Sequence, residues 1–423
     1  MKIFNNPKLA EWEKLSKRPI TSAVSLEKSV KKILKEVKTK GDRAVKKYTK
    51  DFDGVKLKKI EVSEKEIKDA QKSIALELKI AIEVAADNIR KFHLPQLKNE
   101  EEVETMPGIR CFRKSVGIEK VGLYIPGGTA PLFSTILMLG IPANIAGCKE
   151  IVLCSPPDKE GNLNPAILFA AKTVGINKVF KIGGVQAVAA MAYGTESVPK
   201  VYKIFGPGNQ YVTAAKQLVQ QDGIAIDMPA GPSEVCVLAD NTADPAFVAA
   251  DLLAQAEHGI DSQVILVSSA ESLVEAVLKQ IEIQLDTLPR KSIAQKALGN
   301  SKAIVFDDLE IAMDFVNCYA PEHLIIACKS ASTLVDKVIN AGSVFLGNFT
   351  PESVGDYASG TNHTLPTNGF SRAYSGVSVD SFVKKITFQE LSPEGLRLIA
   401  ATVTNMARAE GLEAHARAVE VRE

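Results

Sequence analysis

The sequence contains five histidines, and His258 is the first of them whose surroundings suit chemistry. It follows Gln255 by three positions, at the end of a helix that Asp244-Pro245 would begin and Gly259 would end. This spacing predicts both side chains on one face of the last turn, where an imidazole nitrogen and an amide oxygen could supply half of a metal's ligands. The alternative is a surface-facing helix end with a chance histidine.

A second pair, Glu322 and His323, follows Pro321, a residue typical of a turn or of the first position of a helix. The positive end of a helix dipole disfavours imidazolium, so we expect His323 to be neutral and able to accept a proton. Glu322 should face another direction, and the two side chains could then divide proton abstraction and water activation between them. A capped helix start with solvated Glu and His is the alternative.

A polar loop and the C-terminal tail carry the remaining candidates. In the loop from 355 to 367, Asp356 suits a hard metal ion and His363 suits contact with a substrate or cofactor. The tail has a predicted helix from Ser392 to about 409, and His415 stands in the next one. Because an isolated helical tail lacks a core, it must pack on the body or on a second subunit, so His415 could complete a partner's site.

Four of these residues would form a mixed nitrogen and oxygen ligand set: Gln255, His258, Asp356 and His415. Such a set suits Zn²⁺, with Mn²⁺ or Co²⁺ as alternatives. A zinc ion with an open or substrate-filled position polarises a bound alcohol or water and lowers its pKa.

Two α/β units would position these residues. In one of them, apolar runs at 121–128, 179–186 and 201–209 each end in a glycine loop and lead into a helix-like segment. This pattern predicts a doubly wound parallel sheet, in which ligands bind at the carboxyl ends of the strands. No GxGxxG fingerprint with a following acid is present, so structural turns and nucleotide binding weigh about evenly. Ser233 would stand at the mouth of the next strand, at 235–238, and a further α/β unit of similar pattern follows, which suggests duplication.

The predicted fold is therefore two Rossmann-like doubly wound α/β domains with helical N-terminal and C-terminal segments. We expect a helical segment at 1–20, a discontinuous first α/β domain at 21–118 plus 235–375, a second domain at 119–234 that binds the nucleotide, and a helical tail at 376–423 on the partner subunit. Residues before about 118 read as helical, with a capping box at Ser63–Glu66 and a helix terminus at His93.

Composition excludes several classes of protein. The formal net charge is +1, so no nucleic-acid partner is implied. Six cysteines without CxxC spacing favour reduced thiols and a cytoplasmic location, and the charged N-terminus is not a signal peptide. The uncharged stretch at 121–148 holds too many glycines and prolines for a membrane span, so we read it as strand, glycine loop and core helix.

The motifs together resemble the histidinol dehydrogenase family along essentially the full length of the chain. The resemblance rests on seven segments in the expected order: Tyr124-Ile125-Pro126-Gly127-Gly128, Phe205-Gly206-Pro207-Gly208-Asn209, Asp227 through Ala230-Gly231-Pro232-Ser233-Glu234, Gln255-Ala256-Glu257-His258-Gly259, Pro321-Glu322-His323, Asp356 through Asn362-His363-Thr364-Leu365-Pro366-Thr367, and Glu410-Gly411-Leu412-Glu413-Ala414-His415.

The resemblance implies a zinc-dependent homodimer that oxidises L-histidinol to L-histidine in two NAD⁺-dependent steps through an aldehyde, the last reaction of histidine biosynthesis. It implies one zinc ion per subunit and two NAD⁺ per turnover. Glu322 and His323 would be the acid/base pair. By motif match, the other roles fall on three sets of residues: zinc ligands Gln255, His258, Asp356 and, from the other subunit, His415; NAD contacts Tyr124, Gln186 and Asn209; and substrate contacts Ser233, His323, His363 and Glu410 alongside the zinc ligands.

Three alternatives stay open on the sequence alone. A paralogue could oxidise another small amino or sulfonated alcohol with the same residues. A zinc hydrolase could use Glu322 as its base, with purely structural glycine loops. A thiohemiacetal route through Cys148 or Cys154 is a rival chemistry, but both flank an apolar strand and look buried, whereas the route needs a thiolate.

Overall fold

The computed structural model describes residues 1–19, 24–97, 101–127, 131–229 and 231–423. Gly128 and Ala230 of the motifs, and the border expected between residues 20 and 21, lie outside this part. The strands within it are β1 (Lys2–Asn5), β2 (Val103–Met106), β3 (Ile109–Gly117), β4 (Lys120–Tyr124), β5 (Glu150–Ser155), β6 (Lys178–Lys181), β7 (Lys203–Phe205), β8 (Ala225–Ile226), β9 (Glu234–Ala239), β10 (Gln263–Ser268), β11 (Lys302–Val305), β12 (His323–Ala327), β13 (Ser343–Leu346) and β14 (Val383–Leu391).

The α-helices alternate with strands through the middle of the chain and dominate its two ends. They are α1 (Leu9–Leu15), α2 (Val24–Asp53), α3 (Glu64–Ser73), α4 (Leu76–His93), α5 (Phe133–Ile145), α6 (Pro165–Thr173), α7 (Gly184–Tyr193), α8 (Gln210–Gln220), α9 (Pro245–Ala256), α10 (Glu271–Leu285), α11 (Lys291–Gly299), α12 (Leu309–Tyr319), α13 (Glu352–Tyr357), α14 (Pro393–Ala409) and α15 (Glu413–Glu420).

Two parallel sheets carry the fold. The first has five strands in the order β6-β5-β4-β7-β8, and the second has six in the order β1-β11-β10-β9-β12-β13. Apart from the added edge strand β1, both sheets follow the same order, with the chain reversing direction across the sheet after its third strand. This is the doubly wound arrangement, so the predicted fold class is confirmed, and the shared order supports the duplication.

The helices that precede the first sheet pack onto it. Val37 of α2 belongs to the core under one face of the five-stranded sheet, and Ile89 of α4 belongs to the core under the other face. We had expected residues 21–118 to join residues 235–375, whereas these helices pack with the 119–234 unit, because their apolar faces match the outer faces of α5 to α8. The domain borders themselves stay a prediction.

The two termini contain strands as well as the expected helices. β1 pairs with β11 at the edge of the six-stranded sheet, and β14 pairs along its length with β3 in an antiparallel sheet of order β14-β3-β2. Two local predictions in the N-terminal region are confirmed, but the helical reading up to about residue 118 is wrong at 103–117, where the chain forms β2 and β3 because it pairs with β14. Ser63 and Glu66 form a capping box at the start of α3, and His93 ends α4 with Nδ1 at 2.8 Å from the carbonyl oxygen of Ile89.

The uncharged stretch at 121–148 is a buried strand and a buried helix, as predicted, with residues 128–130 between them outside the described part. Across the described chain, none of the helices combines the length and apolar character needed to span a bilayer.

The fold can be tested at two glycines, Gly206 in the loop after β7 and Gly223 after α8. Gly206 has φ of +124° and Gly223 has φ of +84°, but a β-carbon at Gly206 would overlap the carbonyl oxygen of Tyr124, whereas at Gly223 it would meet open space. We expect Gly223→Ala to lower the free energy of unfolding by about 1–2 kcal/mol from backbone strain alone. Gly206→Ala should lower it by about 2–5 kcal/mol, since overpacking adds to the strain. Urea denaturation of both variants measures this, and equal losses would contradict it.

Candidate active site

Glu322 and His323 lie at the amino end of β12, beside the first residue of β9. Both are buried, and one residue holds them: the backbone N–H of Glu234 donates to Glu322 Oε2 at 2.9 Å, and the Glu234 carbonyl oxygen lies 3.2 Å from His323 Nδ1. The other ring nitrogen, Nε2, is buried without a hydrogen-bond partner among the described residues. That nitrogen is the atom free to exchange a proton with a ligand.

This geometry corrects the expectation for the pair. His323 begins a strand rather than a helix, because the chain after Pro321 pairs with β9. The two side chains converge instead of diverging, with Glu322 Oε2 at 3.7 Å from His323 Nδ1. Burial alone would lower the pKa of His323, but the carboxylates of Glu352, Glu322 and Asp356 outweigh it and raise the pKa well above its usual value. The predicted helix-dipole effect is therefore wrong.

The short helix α13 brings two more carboxylates to His323. Glu352 Oε1 lies 3.4 Å from Nδ1, and Asp356 Oδ1 lies 3.6 Å from Nε2. One ligand atom from each of these three residues falls within 4.8 Å of the others, which makes them a candidate metal group. The sequence analysis missed Glu352, although its place after Pro351 and four residues before Asp356 puts both acids on one helix face.

The acids of this cluster differ in protonation. Burial raises the pKa of Glu322 to about 8 and that of Glu352 to about 8. Burial also acts against ionised Asp356, but contact with His323 and the nearby rings of His363 and His258 lower its pKa below the usual value. The cluster therefore combines one ionised carboxylate with two that can hold a proton near neutral pH.

Gln255 and His258 occupy different environments. α9 ends at Ala256, so His258 lies beyond the helix and is exposed, and the expectation that both share one helix face is wrong. Gln255 is fully buried in the cluster: in the orientation that satisfies its neighbours, its amide nitrogen donates to Glu352 and its oxygen accepts from the Glu234 N–H at 3.1 Å. His258 is still an electrostatic neighbour of Asp356.

His363 links the cluster to the other sheet. Its Nδ1 lies 2.7 Å from the carbonyl oxygen of Asp356, and its Nε2 lies 3.0 Å from Oγ1 of Thr135 in the first turn of α5. Ser233 directly precedes Glu234 at the start of β9, at the mouth of a strand as expected. The site therefore uses loops from both α/β units.

A cavity of about 1140 Å³ opens at the carboxyl ends of the five-stranded sheet. Tyr124, Gln186 and Asn209 all line it. The Tyr124 hydroxyl accepts from the backbone N–H of Gly184 at 3.2 Å, and Asn209 caps α8. Oε1 of Gln186 is buried and has no hydrogen-bond partner among the described residues. The cavity can hold a ligand as large as a dinucleotide, with an acceptor already aimed at it.

Glu410 and His415 are not brought to the cluster within one chain. Glu410 caps the end of α14, His415 lies on α15, and both are exposed.

Known proteins of one family match the chain along nearly its full length. A sequence model described as "Histidinol dehydrogenase" matches residues 16–423. The chain is 59% identical to a histidinol dehydrogenase of Bacteroides thetaiotaomicron over 422 residues, which cover 100% of this chain and 99% of the relative. It is 52% identical to one of Vibrio parahaemolyticus, with 97% of each chain covered. The chain belongs to the histidinol dehydrogenase family. The crystal structure of the histidinol dehydrogenase from Elizabethkingia anophelis has a TM-score of 0.98 and 56% identity, and covers 100% of this chain and 98% of that chain.

In this member of the histidinol dehydrogenase family, a buried ion pair fixes the residue that holds the catalytic candidates. Arg18 donates twice to the Glu234 carboxylate, from Nε at 2.7 Å and from Nη2 at 2.8 Å, and its guanidinium stacks on the ring of Tyr319. It also donates to the carbonyl oxygens of Tyr319 and Ala320, just before the pair. No local sequence pattern predicts this contact, since 216 positions separate the two charges.

Loss of Arg18 should show how much stability this ion pair contributes. We expect Arg18→Met to lower the free energy of unfolding by about 3–5 kcal/mol, because it leaves a buried carboxylate without its cation. Adding Glu234→Gln should restore part of the loss. The control is Arg90→Met, which removes an exposed ion pair with Asp87 and should change stability by no more than about 1 kcal/mol. Equal effects of the two single variants in urea denaturation would contradict a structural role for the buried pair.

Proposed function

We propose that the chain oxidises L-histidinol to L-histidine in two successive NAD⁺-dependent hydride transfers through histidinaldehyde, the final step of histidine biosynthesis. Membership of the family supports the substrate. The observation that carries the chemistry is the buried acid–imidazole cluster around His323, joined through Thr135 and His363 to the unit that holds the large cavity.

His323 is suited to take the hydroxyl proton. Its Nδ1 faces the Glu234 carbonyl oxygen, which fixes the ring, and Nε2 faces the ligand without a protein hydrogen bond among the described residues. Because the carboxylates around the ring raise the pKa of His323 well above its usual value, the ring can act as a base only where a bound cation offsets their charge. Neutral Nε2 would then take the O–H proton as the hydride leaves the carbinol carbon.

Glu322 is suited to the second oxidation. Histidinaldehyde must first add water, and the hydrate then loses a hydride and a proton to give the acid. The pKa of the Glu322 carboxyl group, raised by burial to about 8, makes its ionised form a stronger base than an ordinary carboxylate, so it can take the proton from the attacking water. His323 would again accept the hydroxyl proton of the hydrate.

One zinc ion per subunit would be held by Gln255, His258, Asp356 and His415 from a second copy of the chain. The fit rests on donor chemistry, because an amide oxygen, a carboxylate and imidazole nitrogens suit zinc. Of this set, Asp356 also belongs to the candidate metal group with His323 and Glu352, whose crowded acids a cation would relieve. Bound zinc would orient the amine and imidazole of the substrate and polarise its hydroxyl.

The substrate would lie among Ser233, Gln255, His258, His323, Asp356, His363, Glu410 and His415. Tyr124, Gln186 and Asn209 would contact NAD⁺ in the cavity, where the unpartnered Gln186 oxygen can accept a hydrogen bond from the cosubstrate. Two NAD⁺ molecules would bind in turn for each histidinol.

A homodimer with shared sites is suggested by the C-terminal arm, the segment of β14, α14 and α15. Its Glu410 and His415 lie apart from the cluster of their own chain, and large apolar side chains on the arm are exposed, among them Phe388, Met406 and Val421. Packing on a second subunit would cover these side chains and deliver both residues to the partner's site.

The thiol route and an oxidising location both find little support. All six cysteines are free thiols, in keeping with the proposed cytoplasmic location. Burial raises the pKa of the Cys148 thiol to about 11 and that of Cys154 further, so neither offers a thiolate near neutral pH.

The stoichiometry of NADH tests the function directly. Limiting L-histidinol with excess NAD⁺ should yield two NADH per substrate by absorbance at 340 nm, and a chelator should abolish the yield until Zn²⁺ is added back. One NADH would mean that the reaction stops at a carbonyl compound and that the substrate or the role of Glu322 is wrong. No NADH with histidinol would leave a hydrolase as the better interpretation.

Replacing Glu322 separates the two oxidation steps. We expect Glu322→Gln to slow the oxidation of histidinaldehyde by about 10²-fold or more, because the amide cannot take a proton from water, and to slow histidinol oxidation much less. The matched control is Glu77→Gln, an exposed residue of α4 that should retain full activity. Single-turnover rates with each substrate give the comparison. Equal slowing of both steps would refute a separate role in hydration.

A further inference from the structure

The large cavity has a wall that none of the proposed NAD⁺ contacts uses. The end of α2 lines it through Tyr48, Phe52 and Asp53. The Tyr48 and Phe52 rings lie parallel, with centroids 5.6 Å apart and an interplanar angle of 12°. Phe52 is 60% exposed, which leaves one face of an aromatic ring open at the cavity. Such a face can stack against the flat ring of a base.

Asp53 occupies a position that is unfavourable for its charge. It is the last residue of α2, where the helix dipole disfavours a negative charge. Its Oδ2 is shielded from solvent and has no hydrogen-bond partner in the described part of the chain. Burial raises the pKa of this carboxyl group to about 6, so it is ionised at neutral pH. Asp53 as a whole is half-buried, but its shielded Oδ2, an ionised acceptor without a donor, is suited to a donor on a ligand.

The other charged groups of this wall are already engaged or exposed. Asp158 accepts from the backbone N–H groups of Glu160 and Asn162, and Lys47 pairs with Glu36 at 3.2 Å. Asp51 is exposed to solvent. Among the charged side chains of this wall that the structure describes, Asp53 is therefore the shielded acceptor, and the Tyr48 hydroxyl beside it is also buried without a partner.

The position of the α2 wall in the cavity determines which half of a bound dinucleotide would contact it. The nicotinamide must approach His323, and the cavity residue Pro131, just before α5, lies four positions before Thr135, which contacts His363. The end of the cavity at Pro131 thus suits the nicotinamide, and the wall formed by α2 is left for the adenosine.

We propose that Asp53 accepts a hydrogen bond from the 2′-hydroxyl of the adenosine ribose, with the adenine against Phe52, and that its carboxylate excludes the 2′-phosphate of NADP⁺. This inference rests on the proposed use of NAD⁺. It assigns the choice between the two cosubstrates to one side chain of α2.

Binding titrations of the zinc-supplemented full-length protein test it without turnover. The probes are NAD⁺, NADP⁺ and the NAD⁺ analogue that lacks the adenosine 2′-hydroxyl. We expect wild type to bind NAD⁺ roughly tenfold or more tightly than the deoxy analogue, since a hydrogen bond to a charged group is lost. In Asp53→Asn this ratio should fall below roughly threefold, and the preference for NAD⁺ over NADP⁺ should fall by roughly tenfold. Asp69→Asn, the same charge change at an exposed position of α3 outside the cavity lining, should keep both wild-type ratios.

Two outcomes would overturn the inference: a ratio between NAD⁺ and its deoxy analogue that is the same in wild type and Asp53→Asn, or no binding of NAD⁺ by wild type. Thermal unfolding checks that the variant folds, and Asp53→Ser, which also removes the charge, should repeat the loss of selectivity. Failure of the proposed function looks different. Wild type and variant would then show the predicted binding ratios while wild type gives no NADH from L-histidinol.

Discussion

The candidate active site depends on Glu234. Its N–H and its carbonyl oxygen hold Glu322 and His323, and its side chain is clamped by Arg18, which also binds the carbonyl oxygens just before the pair. Desolvating an ion pair inside a protein is unfavourable, and only good geometry offsets that penalty. Here the two-point contact and the stacking on Tyr319 supply the geometry. One buried pair thus fixes the neighbouring strand ends that hold Glu322 and His323.

The two sheets share a strand order, but the large cavity and the acid–imidazole cluster lie at opposite ends of their strands. The large cavity lies at the carboxyl ends of the five-stranded sheet, where doubly wound folds ordinarily bind ligands. The acid–imidazole cluster instead lies at the amino ends of β9 and β12 in the six-stranded sheet. The contact between Thr135 and His363 joins the two regions. The two units therefore differ in what they contain: one has room for a large ligand, and the other holds a buried cluster of acids and an imidazole.

The charges of the cluster around His323 favour the binding of a cation. Three carboxyl groups surround His323 in a buried space, and burial keeps two of them from ionising easily. The free energy of such a cluster falls when a cation enters, because every acid can then ionise against it. This is the physical basis for the proposed metal.

The sequence alone determined the features that local patterns encode: the alternation of strands and helices, the capping box at Ser63, the helix end at His93, and the short set of side chains able to do chemistry. Only the tertiary structure decided that His323 begins a strand, since a residue after a proline suits a strand or a helix and pairing with β9 settles the choice. It alone revealed Glu352 and Arg18, because each acts through partners tens to hundreds of positions away. Local spacing reports which faces residues share within one element. Burial, ion pairing and the protonation of a cluster arise between elements, and so they appear only when the chain is folded.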